Sequence, residues 1–294
     1  MCTLAAVSRA SYYRHCGPQQ PDDEEESCLR DGIQRVALDH RQYGYRRVTY
    51  ALRAQGWEVN HKRVARLMRL DNLLAIRKRR FVPVTTDSKH NLEIAINVAR
   101  RLTPTAINQL WVADITYVRL GRADVFLAVV MDAFSRKVIG WNLGRSLTTA
   151  LPLEALRTAI ESRRPAPGLI HHSDRGVQYA SAAYVDTLVL HGIIASMSRP
   201  GNPYDNAKCE RFMKTLKQEE ICCFEYRDIE HLRSNRSRFF DTYYNAKRLH
   251  SALGYLSPDD FEAAAALSAN RQAPAAPKMS FSRHEEIYQS DVRP

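Results

Sequence analysis

Leu110-Trp-Val-Ala-Asp-Ile-Thr-Tyr-Val-Arg-Leu120, Val125-Phe-Leu-Ala-Val-Val-Met-Asp-Ala-Phe134 and Val138-Ile-Gly-Trp-Asn-Leu143 are three apolar runs in close succession. They are rich in Val, Ile, Trp and Tyr, and Gly121 and Ser135-Arg136 mark turns between them. Runs of this length and composition, bounded by turn signals, read as β-strands. Downstream the pattern changes to alternation. Thr148 to Ser162 has helical spacing, Leu169 to Ser173 is a short strand and Ala180 to Leu190 a helix. Ile193 to Met197 is a strand and Asn206 to Glu220 a helix, and Asp228 to Arg248 reads as a further helix. Three leading strands followed by alternating units predict an α/β domain, a mixed sheet flanked by helices.

Upstream of the strands the sequence predicts a small all-α region. Residues 28–39 carry Leu29, Ile33 and Val36 on one stripe, and residues 45–54 carry Val48, Ala51 and Leu52. Gly56 ends the second helix, and Asn60 can cap a third with the stripe Val64, Leu67 and Met68. Helix, Gly-containing turn and helix make a helix-turn-helix pattern. The acidic run Asp22-Asp-Glu-Glu-Glu26 reads as a solvated linker or a helix N-terminus. Residues 81–108, with Pro83 and Pro104, read as a connector, and the Ala- and Pro-rich tail after about residue 267 is expected to be disordered.

Composition narrows the classes. Of 294 residues, 45% are hydrophobic, which excludes global disorder. The longest clean apolar run, Val125 to Met131, falls well short of the roughly 18 residues that span a bilayer, so no membrane helix is expected. No basic stretch precedes an apolar run at the N-terminus, so no secretory signal is expected, and six cysteines in a chain this long do not make a disulfide scaffold.

The net charge is +11, and its placement matters more than its sum. Residues 29–101 hold 17 Lys and Arg against 6 acids. A local excess of that size suits a polyanion, with nucleic acid the first candidate and a solvated arginine-rich surface the alternative. Lys62, Arg63, Arg66 and Arg69 lie largely off the apolar stripe of the third helix, where a duplex could be met. Arg77-Lys78-Arg79-Arg80 would grip phosphates without reading sequence.

Three carboxylates from three separate elements could converge. Asp114 sits in the middle of the first strand, where an acid is unfavourable unless its charge is compensated. Asp174 follows the fourth strand in His171-His172-Ser173-Asp174-Arg175-Gly176, and strand ends are where active-site groups of α/β sheets project. Glu210 lies in the helix 206–220, whose apolar stripe is Cys209, Phe212, Met213 and Leu216. At about 100° per residue, Glu210, Lys214 and Lys217 fall within roughly 60° of one another, about a quarter turn from that stripe. Three of the chain's nine lysines (Lys208, Lys214, Lys217) are on this helix, and a DNA phosphate along the Glu210 face would meet Lys214 and Lys217. Two Mg²⁺ ions about 3.5–4 Å apart, held by carboxylates, can activate the attacking oxygen and stabilise the leaving one in phosphodiester cleavage. Residue types alone do not separate this from acids in surface ion pairs, since Asp124, Asp132, Asp186 and Asp205 lie nearby.

The surrounding words separate them. Fifty-nine residues lie between Asp114 and Asp174, and 35 between Asp174 and Glu210. The words are Trp111-Val-Ala-Asp114-Ile-Thr-Tyr117, His172-Ser-Asp174-Arg-Gly176-Val-Gln-Tyr179, and Gly201-Asn-Pro-Tyr-Asp-Asn-Ala207 leading to Glu210-Arg-Phe212 and Leu216-Lys217. Together they resemble the catalytic region of bacterial insertion-sequence transposases of the retroviral-integrase-like DDE group, in their second reading-frame product. Tyr43-Gly-Tyr-Arg-Arg47 and Tyr244-Asn-Ala-Lys-Arg248-Leu-His250, with Leu253 and Pro258, extend the resemblance to roughly residues 40–260.

The resemblance implies a ribonuclease H-like core, with Asp114, Asp174 and Glu210 as catalytic ligands of two Mg²⁺ ions, Mn²⁺ substituting. It implies nicking of double-stranded DNA at element ends and joining of the freed 3′ hydroxyl elsewhere, by a homo-oligomer on DNA in the bacterial cytoplasm and nucleoid. The domains then read as a remnant and acidic linker (1–27), a helix-turn-helix DNA-binding domain (28–80), a connector (81–108), the core (109–222), a helical extension (223–266) and a tail (267–294). Ser198 to Asn206 would be a mobile loop beside the site. In this group an upstream frame product commonly supplies another helix-turn-helix and a coiled coil, and residues 7–15 read as the trailing edge of one. A DNA-binding regulator or inactive fragment that needs that product is the alternative function.

The remaining chemistry-bearing residues read as structural. His171 and His172 suit packing or hydrogen bonding better than Mg²⁺ ligation, because imidazole favours zinc. Cys222-Cys223 lack the partner pair of a zinc site. Asp132 and Asp205 read as structural, and Asn245, Arg248 and His250 as candidates to fix the last helix onto the core.

Overall fold

The computed structural model describes residues 24–73, 94–120, 123–199 and 206–272. Arg77, Lys78, Arg79 and Arg80, Asp205 with most of the 198–206 loop, residues 1–23 and the tail from residue 273 lie outside the described residues.

The N-terminal helices are α1 (Glu24–Asp39), α2 (Tyr45–Ala54) and α3 (His61–Leu70). The acidic run enters a helix N-terminus. Glu24, Glu25 and Glu26 form the first turn of α1, where carboxylates complement the exposed backbone N–H groups. Leu29, Ile33 and Val36 of α1 pack on Val48 and Leu52 of α2 and on Val64, Leu67 and Met68 of α3, as the stripes predict. Gly56 adopts a φ of +91°, and Asn60 caps α3 by accepting a 2.8 Å hydrogen bond from the Lys62 amide.

The strands are β1 (Leu110–Leu120), β2 (Ala123–Asp132), β3 (Val138–Gly144), β4 (Ile170–Ser173) and β5 (Ile194–Met197). Their order in the sheet is β3-β2-β1-β4-β5. The β1–β2 and β2–β3 pairs are antiparallel, and the β1–β4 and β4–β5 pairs are parallel. This mixed sheet, flanked by helices on both faces, is ribonuclease H-like. Alternation along β1 sends Leu110 and Val112 to one face and Trp111 and Ala113 to the other. The first face packs on α7 (Ala207–Leu216) through Cys209, Phe212, Met213 and Leu216. The second packs on α4 (Ala150–Arg163) through Leu156 and Ala159 and on α6 (Ala182–Leu190) through Tyr184 and Leu188. Burial on both faces is why these strands read as nearly continuous apolar runs.

Several boundaries differ from the sequence reading. The helix expected over 180–190 is two, α5 (Val177–Ala180) and α6, because Ser181 between them is extended. The helix expected to run to Glu220 is α7 followed by a π-type turn, Lys217–Ile221. The helix expected over 228–248 is α8 (Ile229–Ser237) continuing as a π-type segment, Arg238–Asn245. A 100° periodicity cannot register such widened turns. The last helix, α9 (Pro258–Gln272), extends beyond residue 267 into the expected tail. Its run Ala263 to Leu267 has high helix propensity, and the first proline after it is Pro274. Among the described residues no helix is long and apolar enough to cross a membrane.

Candidate active site

Two neighbouring strands, β1 and β4, bring two of the three carboxylates together. In the parallel β1–β4 pair, Val112 lies opposite His172. Asp114 lies two residues beyond that pair on β1 and Asp174 is the first residue past β4, close enough that the Asp174 charge acts on the Asp114 carboxyl. Asp114 also shares the face of Leu110 and Val112, the face on which α7 lies. Asp174 emerges just where β4 ends. Its Oδ1 accepts from the Gly176 amide at 2.9 Å, and a Cβ at residue 176 would stand only 3.0 Å from that oxygen. The turn that aims Asp174 therefore favours glycine.

Glu210 comes from the first turns of α7. The apolar stripe of this helix is buried as its periodicity predicts, and Glu210 sits exposed beside it. Asn206 fixes the start of the helix by donating from Nδ2 to the Ala113 carbonyl at 3.0 Å, one residue from Asp114. An Asn directly before a helix reads as an N-cap, but its side chain makes no capping bond here. Its role as an anchor on β1 depends on the packing of α7 and had no sequence signal of its own.

The electrostatics mark the site. Desolvation, followed by the charges of Asp174 and Glu210, raises the Asp114 carboxyl to about 7, with the Ile115 N–H and Lys217 opposing. Partial desolvation raises Glu210 as well. The buried Cys209 thiol is pushed up by desolvation and by all three acids, so it lies under the cluster. The Tyr179 hydroxyl and Asn206 Oδ1 are buried without a hydrogen-bond partner among the described residues. A cleft lined by Tyr117, Phe126, Leu147, Asp174, Gln178 and Tyr179 opens beside Asp174.

The donor set is chemically suited to a hard cation. It offers carboxylate oxygens, and their mutual repulsion would be relieved by bound positive charge. The three acids do not form a finished cage: among the described residues no three His, Cys, Asp or Glu side chains close on one point as a metal site. Asp114 and Asp174 are brought together, and Glu210 stands at their edge.

The basic residues divide. Lys214 is exposed, whereas Lys217 is half-buried with its Nζ 5.1 Å from the centre of the Tyr117 ring. Burial lowers the Lys217 pKa and the Asp114 charge raises it, so this lysine belongs to the acid cluster more than to the outer face. On α3, Lys62 and Arg69 are exposed. Arg63 and Arg66 are engaged by the first turn of α1, at 2.9 Å from Glu25 and 2.9 Å from Glu26.

Neighbouring groups are structural. His171 bonds Tyr184 at 3.1 Å, and His172 bridges the Ser196 and Ser198 hydroxyls at 2.9 and 3.0 Å. Asp132 accepts from the amides of Asn108, Phe134 and Ser135 and so shapes the turn after β2. Asn245 pairs with both backbone groups of Val138, at 3.0 and 2.9 Å, and ties the C-terminal helices to β3.

Known proteins match this arrangement over most of the chain. A model of an integrase core domain matches residues 104–203, a second integrase core model matches residues 191–258, and a model of an HTH-like domain matches residues 22–81. The transposase for insertion sequence element IS904 of Lactococcus lactis is 37% identical over 84% of this chain and 98% of its own. The chain belongs to the insertion-sequence transposases. Within this family, the InsF transposase for IS3A of Escherichia coli is 36% identical over 89% of this chain and 92% of its own. A 31 kDa protein of insertion element IS600 from Shigella sonnei is 37% identical over 89% and 97%. Among solved structures, the HTLV-2 integrase catalytic core domain in complex with magnesium matches 53% of this chain and 97% of that domain. At 16% identity and a TM-score of 0.40, that likeness is too loose to place a side chain.

Proposed function

We propose that this transposase nicks double-stranded DNA at element ends and joins the freed 3′ hydroxyl to another phosphodiester, with Asp114, Asp174 and Glu210 holding two Mg²⁺ ions. In the first step water attacks phosphorus and the P–O3′ bond breaks. In the second the 3′ oxygen attacks a new phosphorus, one P–O bond forms and one breaks, so no ATP is required. The bound ions would supply Lewis acidity and charge neutralisation at the phosphoryl oxygens. The observation that carries this reading is the convergence of Asp114 on β1 and Asp174 just past the neighbouring β4 under the helix of Glu210.

The chain's own groups take the remaining roles. Asn206 and the Gly176 turn orient the acids, and Lys217 offers a cation to a phosphate lying against Asp114. Lys214 on the open face of α7 meets the backbone of the same DNA. Lys62, Arg63, Arg66 and Arg69 on α3, with Arg77, Lys78, Arg79 and Arg80, hold the duplex. Phosphates reaching Arg63 and Arg66 displace Glu25 and Glu26, which costs little because exposed ion pairs contribute about 0–1 kcal/mol each. A homo-oligomer would bring two element ends together, and the upstream frame product would add end recognition.

The test is a nicking and joining assay on labelled element-end duplexes with Mg²⁺, with and without the upstream product. Asp114→Asn, Asp174→Asn and Glu210→Gln should each abolish both steps while DNA binding persists. Turnover that survives these changes would overturn the assignment. Binding without nicking, under every combination of Mg²⁺ and upstream product, would favour the regulator instead. Lys214→Ala with Lys217→Ala should flatten the dependence of DNA affinity on salt by about two phosphate contacts.

A further inference from the structure

Two sequence words are left without a role by the proposed function, Tyr43-Gly-Tyr-Arg-Arg47 and Tyr244-Asn-Ala-Lys-Arg248-Leu-His250. They lie some 200 residues apart, and the fold packs them against each other. The Leu249 amide donates to the Tyr43 hydroxyl at 2.8 Å, and Tyr43 is buried. His40 stacks on Tyr43 at 4.3 Å and lies 5.7 Å from the Tyr243 ring. At the rim, Tyr50 of α2 stacks on Tyr255 at 3.8 Å with the rings 10° from parallel.

The far side of this contact is anchored to the helix that carries Glu210. Arg248 donates to both oxygens of Glu219, at 2.8 and 2.7 Å, and the Tyr243 hydroxyl donates to Glu219 at 3.0 Å. Glu219 lies in the π-type extension of α7, nine residues beyond Glu210. Burial lowers the Arg248 pKa, but its hydrogen bonds to Glu219 more than offset that and hold it above the ordinary arginine value. Arg47 of α2 is half-buried beside the same pair, where desolvation and Arg248 lower its pKa and Glu219 raises it. An unbroken series of contacts thus joins α2, residues 243–255 and the rod of Glu210.

One backbone feature marks the joint as specified rather than incidental. Tyr255 has a φ of +64°, directly after Gly254 at +66°. A bulky residue in the left-handed region is disfavoured and persists only where its surroundings hold it. Glycine would satisfy this turn without strain, so what Tyr255 adds there is its aromatic ring, which stacks on Tyr50.

We propose that this contact is a fixed joint that sets where DNA held by the helix-turn-helix region meets the acid cluster, with Tyr43, Tyr50, Tyr255, Arg248 and Glu219 as positioning residues. The proposal rests on the DNA-nicking reading above. A rigid seat for the DNA-holding region is needed because a phosphodiester misplaced by about 1 Å loses the geometry required for attack.

The experiment uses the full chain with Tyr50→Ala, Tyr255→Gly and Tyr50→Phe. Tyr255→Gly suits the left-handed turn and removes the side chain that stacks on Tyr50. Three readouts are taken: hydrogen exchange of the Leu249 amide, affinity for an element-end duplex, and the rate and position of nicking at nucleotide resolution. Tyr50→Ala and Tyr255→Gly should speed Leu249 exchange about tenfold, as local opening of a subglobal contact does. DNA affinity should stay within about twofold, because the phosphate-holding groups are untouched. Nicking should slow about tenfold and spread to neighbouring phosphodiesters, and Tyr50→Phe should behave as the parent chain. Unchanged Leu249 exchange would show that there is no joint. Faster exchange with unaltered nicking rate and position would show that the joint does not position DNA. Should Asp114→Asn nick like the parent chain, the function reading fails separately, and the exchange arm still decides whether the joint exists.

Discussion

The helical rod of α7 and its π-type extension carries acids at both ends, and the fold treats the two ends oppositely. At the far end, Glu219 is held by Arg248, and Glu220 receives Arg236 at 2.7 Å. Arg236 is fully buried and also donates to the Tyr226 hydroxyl. At the near end, Glu210 stands beside Asp114 and Asp174, and the charges there raise Asp114 instead of compensating it. Glu219, held at both oxygens by Arg248, is satisfied within the chain, and Arg236 offsets part of the burial that raises Glu220. Among the three acids, Lys217 and the Ile115 N–H offset only part of what raises Asp114, and a proton or a bound cation would supply the rest. The far end is therefore tied into the fold, whereas the near end keeps an excess of negative charge, as the proposed function requires.

The largest expected effect is on turnover. Asp114→Asn should lower nicking by at least about a hundredfold, as loss of a charge-stabilising group in an active site does, measured on labelled element ends with Mg²⁺. At the other end, Arg236→Met should leave Glu220 buried without its partner and cost about 3–5 kcal/mol. Thermal unfolding should then fall by about 10 °C, and adding Glu220→Met should recover most of it. Equal losses in the single and double variants would mean that the pair is not the source.

A smaller effect of opposite sign is expected for Asp114→Asn without metal. The Asp114 carboxyl binds its proton more tightly in the folded chain, where burial and Asp174 raise it to about 7. Its contribution to stability is therefore fully present below about pH 4 and lost as pH rises through about 7. With chelator at pH 8, Asp114→Asn should melt several degrees higher than the parent chain, and the two should converge at pH 4. A lower melting point at pH 8 would erase the contrast between the ends, because the near end would then be self-compensated. The smallest effect belongs to the exposed pairs of α1. Glu25→Gln with Glu26→Gln should change stability by less than about 1 kcal/mol and raise DNA affinity severalfold at low salt, read by titration of a labelled duplex. Weaker DNA binding in this variant would mean that the acids orient Arg63 and Arg66 instead of competing for them.

Much of this architecture is legible in the amino-acid sequence. The stripes of α1, α2 and α3, the Asn60 cap, the strand β1 and the buried face Cys209, Phe212, Met213 and Leu216 follow from periodicity and local chemistry. The three acids are legible only through the words around them, because a carboxylate in a strand or helix carries no mark of its eventual neighbours. Lys217 shows the limit of helical angles. Periodicity places it with Lys214 on one outer face, whereas packing on Tyr117 turns it towards Asp114.

Spacing and composition alone establish which segments are helix and strand, which faces are apolar, and that positive charge gathers in residues 29–101. These features depend on intervals of two to four residues and on local content, which any stretch of chain carries with it. Tertiary packing was needed to bring Asp114 and Asp174 together, to turn Glu219 and Glu220 to arginines through a widened turn, and to set Tyr43 against Leu249. Each of these depends on contacts between residues tens to hundreds of positions apart. Such contacts are set by how the packed faces fit together, and no local propensity encodes them.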